Sequence, residues 1–139
     1  MSFVLDNSVS MRWYFGDGSV RDLAYANRVL DVMENSKVIV PATWGLEVGN
    51  VIARSESKSL VTIEASNKFI EMIKGADITV DAHTFEYALT RNLELARTYK
   101  LTAYDASYLE LALRLRIPLA TLDENLRKAA KKSGVKIFD

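Results

Sequence analysis

Residues 117–126 read IPLATLDENL. The first half is an apolar run with Pro118 at its start, a place where a strand tolerates proline. The stretch it leads into, DENLRKAAKKSG (123–134), has Asp123 placed to cap a helix and Gly134 to close it. A strand that gives way to a helix at an aspartate is the elementary step of an α/β fold. The chain opens on a related run, SFVLDNSVS (2–10), in which an apolar strand over 2–5 is closed by Asp6, although DNS is not expected to lead straight into a helix.

Between these two ends the pattern alternates. SVRDLAYANRVLDVMENS after Gly18 sets Leu23, Ala26, Leu30 and Met33 at helical spacing, and KVIVP is a second strand stopped by Pro41. WGLEVGNVIARS follows as a helix, and TIEASNKFIEMIKGA as another that ends at Gly75. DITV is a further strand candidate, HTFEYALTRNLELARTYK reads as one helix, TAYDASYLELALRLR as a helix started near Asp105, and VKIF as a closing strand. Strands that are apolar on both faces and alternate with helices predict a sandwich of a mostly parallel sheet, of four to five strands, between helical layers. No linker or low-complexity stretch interrupts it, so residues 1–139 are expected to form a single domain.

Composition narrows the chemistry. The 139 residues are 49% hydrophobic, enough to bury a core, and Lys+Arg equals Asp+Glu at 18 each, so no global basic field attracts nucleic acid. The absence of cysteine removes disulfides, thiolate nucleophiles and cysteine-bearing zinc sites, and a single histidine, His83, removes histidine pairs and histidine cages. Carboxylate chemistry survives. Asp6 and Arg12 interrupt any N-terminal leader, and no run approaches the roughly 18 apolar residues that a membrane span needs, so a soluble, cytoplasmic protein without a membrane partner is expected.

In open parallel sheets, ligands bind beyond the carboxyl ends of the strands. Asp6 and Asp123 close strands there, Glu47 lies in the first turns of the helix after the second strand, and Asp105 opens a helix on the same rim. Two carboxylates about 4 Å apart repel by roughly 4 kcal/mol at an effective dielectric near 20, so such a cluster requires protons or a cation. An all-oxygen site selects a hard divalent ion, Mg²⁺ or else Mn²⁺. Ser8 and Thr121, each two residues from an acid, and Asn50, one turn after Glu47, are placed to orient the carboxylates. Asp105 and Asp123 would serve equally well as plain helix caps.

These residues resemble a PIN-domain protein, and within that superfamily a VapC-type toxin of a toxin–antitoxin pair. The resemblance is carried by VLDNSV, VPATWGLEVGNVI, TAYDASYLELAL and PLATLDENLRKAAKKSGVKIF, most specifically by YDASYLELA and LATLDENL. Residues of about 60 to 95 match only in helical character. The resemblance implies a PIN-like three-layer sandwich and an acidic quartet of Asp6, Glu47, Asp105 and Asp123, at once catalytic and metal-binding, with Ser8 and Thr121 in support. It also implies a Mg²⁺-dependent endoribonuclease acting on an RNA substrate, inhibition by a cognate small antitoxin, and a homodimer or a heterocomplex with that antitoxin.

Other features have two readings. MRWYF (11–15) and Trp44 serve either as core anchors or, through Arg12, Trp13 and Trp44, as contacts to substrate or antitoxin. The basic run RKAAKKSGVK complements a helix dipole or meets an RNA backbone. A haloacid-dehalogenase phosphatase would need an Asp where Ser8 stands. From a different class, a catalytically inactive PIN-like module that binds RNA or protein is the alternative.

Overall fold

A computed structural model describes residues 1–139. Its sheet holds β1 (Ser2–Leu5), β2 (Lys37–Val40), β3 (Ile78–Val80) and β4 (Leu119–Ala120), in the order β3-β2-β1-β4 with every pairing parallel. Seven α-helices flank it: α1 (Asn7–Phe15), α2 (Val20–Val32), α3 (Trp44–Ser57), α4 (Ile63–Gly75), α5 (Arg91–Tyr99), α6 (Ala103–Leu115) and α7 (Glu124–Ser133). Successive residues of a strand point to opposite faces. Phe3, Val4 and Leu5 are nonetheless all fully buried, as is most of Val38–Val40, so both faces of the central strands are covered. That is the physical content of the apolar, non-alternating strand pattern.

The core is one cluster of 27 buried residues that joins β1, β2 and β4 to α1, α2, α3, α6 and α7. The edge strand β3 contributes least, with Val80 exposed. No helix is long and apolar enough to cross a membrane.

Four local expectations change. Asn7–Phe15 is helical directly after Asp6, whose backbone is extended (φ −82°, ψ 148°) as at a helix N-cap. The helix is hard to read because inward positions include Ser10, fully buried against the indole of Trp44. Residues 83–100 are two pieces rather than one helix, a 3-10 turn over Thr84–Tyr87 and then α5. Thr84 is held apart from α5, since its hydroxyl accepts from the Ala42 N–H (2.9 Å) and donates to Asp81 Oδ2 (2.9 Å). α6 begins at Ala103 with Thr102 as its cap, because the Thr102 hydroxyl accepts from the Asp105 N–H (3.0 Å). Residues 135–138 make a single bridge, Ile137 to Leu119, since β4 is only two residues long and gives a fifth strand little to pair with.

Sheet order decides where a site can lie. The chain leaves β1 for β2 and β3 on one side, then returns to place β4 on the other side of β1. The crevice beyond the carboxyl ends of β1 and β4 is the point where the winding reverses, and Asp6 and Asp123 follow those two strands.

Candidate active site

Each of the four acids reaches the rim by its own device. The Asp6 N–H donates to the Ala120 carbonyl (2.9 Å), which ties the turn out of β1 to β4. Its side chain is 4% exposed. Oδ2 accepts from the hydroxyls of Ser8 (2.6 Å) and Thr121 (2.7 Å), while Oδ1 receives no hydrogen bond. Ser8 Oγ in turn accepts from the Leu122 N–H (3.0 Å), and Thr121 Oγ1 from the Asp123 N–H (3.0 Å). Each hydroxyl therefore spends its one proton on Asp6 and is itself fixed by backbone, which locks the carboxylate's orientation.

Asp123 is the N-cap of α7, with Oδ1 accepting from the Leu126 N–H (2.8 Å). Capping occupies one oxygen and leaves the other for a ligand. Asp105 sits in the first turn of α6, and Thr102 has relieved its side chain of capping. Glu47 sits in the first turn of α3, where Oε1 accepts from the hydroxyl of Tyr108 (2.8 Å).

Tyr108 is a site residue that sequence reading passed over. It is fully buried on α6, one turn after Asp105. The spacing of three in YDASY was the available signal, since i and i+3 share a helix face. In an apolar helical run a tyrosine otherwise reads as core.

The four acids are electrostatically coupled. Burial pushes Asp6 up to about 6, against the hydroxyls of Ser8 and Thr121 and with help from the charges of Asp105 and Asp123. Burial pushes Glu47 up to about 7, opposed by the Tyr108 hydrogen bond and reinforced by Asp6 and Asp105. Asp105 is also raised, by burial first and then by Asp123, with Thr102 opposing. The Tyr108 phenol is raised by burial and by the charges of Asp6 and Glu47, so it remains a donor at neutral pH. No lysine, arginine or histidine pairs with any of the four acids.

Glu47, Asn50 and Asp105 line a cleft of about 610 Å³ together with Asn7 and Thr43. Asn7 Oδ1 and Thr43 Oγ1 are buried without a hydrogen-bond partner, two of only three such atoms in the chain. No three acidic or histidine side chains stand close enough to cage one ion. Mg²⁺, however, keeps several waters and takes only one or two carboxylates directly. Spread carboxylate oxygens beside unsatisfied amide and hydroxyl oxygens suit such a hydrated ion, whose waters would donate to them.

The remaining sequence candidates lie elsewhere. Arg12 reaches Asp17 in the turn after α1, Trp13 donates to the Ala26 carbonyl (2.8 Å) between α1 and α2, and Trp44 is buried with its indole toward Ser10. Trp13 and Trp44 are thereby held as packing anchors, and Arg12 is held in a surface turn. His83 pairs with Glu86 at the start of the 3-10 turn.

The family model of the PIN domain matches residues 3–132. No curated protein matches the chain by sequence. The fold is similar to that of VapBC2 from Rickettsia felis, solved bound to a DNA fragment from its promoter, with 15% identity over 99% of this chain and 98% of that one and a TM-score of 0.68. It is also similar to PAE2754 from Pyrobaculum aerophilum, with 21% identity over 93% and 79% of the two chains and a TM-score of 0.65. FitAcB from Neisseria gonorrhoeae has 18% identity over 99% and 96%, with a TM-score of 0.63.

Proposed function

The chain belongs to the PIN domain family, and from that premise we propose that it is a divalent-metal-dependent endoribonuclease, the toxin of a VapBC-type pair. One observation carries this reading. Four coupled acids converge on the switch point of the sheet with no protein cation to neutralise them. At neutral pH such a cluster sheds its repulsion by holding protons or by binding a cation, and an acid-rich rim of raised carboxylates is the mark of a functional site.

Asp6, through the Oδ1 left open by its two hydroxyl donors, and Asp105, Asp123 and Glu47 would hold Mg²⁺ or Mn²⁺. When bound, the ion supplies positive charge opposite the phosphate oxygens and acidifies an attacking water. Glu47 Oε2, uncommitted because Tyr108 engages Oε1, would be free to accept a proton. Ser8 and Thr121 keep Asp6 from turning away, and Tyr108 does the same for Glu47. With water rather than the ribose 2′-hydroxyl attacking phosphorus and the ribose 3′-oxygen leaving with a proton, the products carry 5′-phosphate and 3′-hydroxyl ends. Leu46 and Tyr104, 75% and 61% exposed, line the same cleft and offer an antitoxin segment an apolar seat.

The absence of a three-acid cage favours one rival, a PIN-like module that binds RNA or protein without cleaving. Purified protein freed of antitoxin, incubated with total cellular RNA and Mg²⁺, separates the two by mapping new 5′-phosphate ends against EDTA and Asp105→Asn controls. Discrete ends that vanish in both controls are expected. A folded, Mg²⁺-binding protein that makes no new ends would hand the case to the binding module.

A further inference from the structure

Beside the acids, but outside their cleft, α2, α7 and the C-terminal segment enclose a groove of about 440 Å³. Leu122 and Glu124, the two neighbours of Asp123, form part of its wall. Its basic side chains are Arg21, Arg28, Arg127 and Lys131. We propose that this groove takes the sugar-phosphate backbone of the RNA strand flanking the cleaved bond, with Arg127 as its phosphate fork. The inference rests on the nuclease reading and adds to it the path of the substrate.

Arg127 is held as a fork should be. Its Nε donates to the Thr121 carbonyl (2.6 Å), and its guanidinium lies over the Tyr25 ring at 4.9 Å. Tyr25 is itself buried, with its hydroxyl on the Phe138 carbonyl (2.6 Å). Apart from the adjoining Tyr25 phenol, nothing engages the two terminal nitrogens. Arg127 is partly buried yet makes no ion pair. A partly desolvated guanidinium, oriented on one edge and one face and with donors left over beyond the Tyr25 phenol, is built for a phosphate. Thr121 links this fork to the acids, since its carbonyl holds Arg127 and its hydroxyl holds Asp6.

Arg21 and Lys131 are also free of ion pairs, whereas Arg28 lies 3.7 Å from Asp139. Asp22, Glu124 and Asp139 share the groove, so its net charge is small. Affinity there comes from the placed fork rather than from a broad field, as a chain of zero net charge requires.

The test uses the full chain carrying Asp105→Asn, which prevents cleavage, and a fluorescent mixed-sequence single-stranded RNA of about twenty nucleotides. Adding Arg127→Gln should weaken binding about tenfold and reduce the slope of log K against log salt by about 0.7, the loss of one phosphate contact on a single strand. Arg127→Lys should restore the slope but not the full affinity, because an ammonium cannot form the fork. Arg21→Gln/Lys131→Gln, which touches no packed contact, should lower affinity and slope without moving the melting temperature. Unchanged affinity and slope in both sets, in a protein that binds the RNA and whose wild type cleaves, would overturn the groove and spare the nuclease. A parent that fails to bind this probe would also overturn the groove, because backbone binding is sequence-tolerant. Failure of the wild type to cleave any RNA would bring down the nuclease reading as well.

Discussion

Thr121 is the residue on which most of the site depends. It is fully buried, donates to Asp6, accepts from the Asp123 N–H and lends its carbonyl to Arg127. Thr121→Val keeps the shape and removes the hydroxyl, leaving the Asp123 N–H without its acceptor at a cost of about 1–3 kcal/mol. The expected outcome is a lower melting temperature and a weakened Mg²⁺ affinity, read by titration calorimetry; wild-type affinity would show that Asp6 needs no such tether. Tyr108→Phe probes the other tether. The Tyr108 hydrogen bond lowers the Glu47 pKa, so its loss should move Glu47 above about 7 and shift the acid limb of the cleavage–pH profile upward. Ser8 and Thr121 were legible because they lie two residues from acids that end strands. Tyr108 was not, because a phenol in an apolar helix looks like packing until its partner on another helix is known.

At the scale of elements, α6 is both wall and site, and its two ends are held differently. Thr102 caps its start beside Asp105. Near its end Arg114 reaches Glu110 on the same helix and Asp81 beyond β3, with contacts of 2.9 Å and 2.7 Å between side chains all at most 13% exposed. Burial favours the neutral form of Asp81, but the hydrogen bonds from Arg114 and then Thr84 outweigh it and hold its pKa below the usual carboxylate range. Arg114→Met strands two buried acids and should cost about 3–5 kcal/mol in chemical denaturation. Arg114→Met with Asp81→Leu and Glu110→Leu should recover most of that loss, because the apolar trio strands no charge. Such elements were only partly visible beforehand. Helical spacing exposed α2, α3 and α4, and the capping Asp123 with Gly134 exposed α7, whereas the buried serine of α1 and the side-chain clamp at Thr84 are decided by partners distant in sequence.

Across the whole molecule, parallel pairing followed from strands apolar on both faces, but the order β3-β2-β1-β4 did not, and it is the order that places Asp6 beside Asp123. The fold thus concentrates charge where its winding reverses, and the concentration has a thermodynamic sign. Asp6 rises from 3.8 to about 6 and Glu47 from 4.5 to about 7. Between about pH 4 and pH 7 the folded protein therefore holds protons that the unfolded chain has released, so stability falls as pH rises through that window. With coupling between the acids and the partial exposure of Glu47 discounted, the loss should be about 3 kcal/mol in EDTA by pH 8. Mg²⁺ should return much of it at pH 8 and little at pH 5, where Asp6 and Glu47 hold protons. Asp105→Asn should soften the pH dependence only in part, because burial is the largest cause of both shifts and the Asp105 charge a lesser one, and should raise stability at pH 8 and reduce the gain from Mg²⁺. Thermal melts across pH 5–8 measure all of this. Melting temperatures in EDTA that climb toward pH 8 would mean that the four acids are already neutralised within the fold, leaving a metal nothing to stabilise.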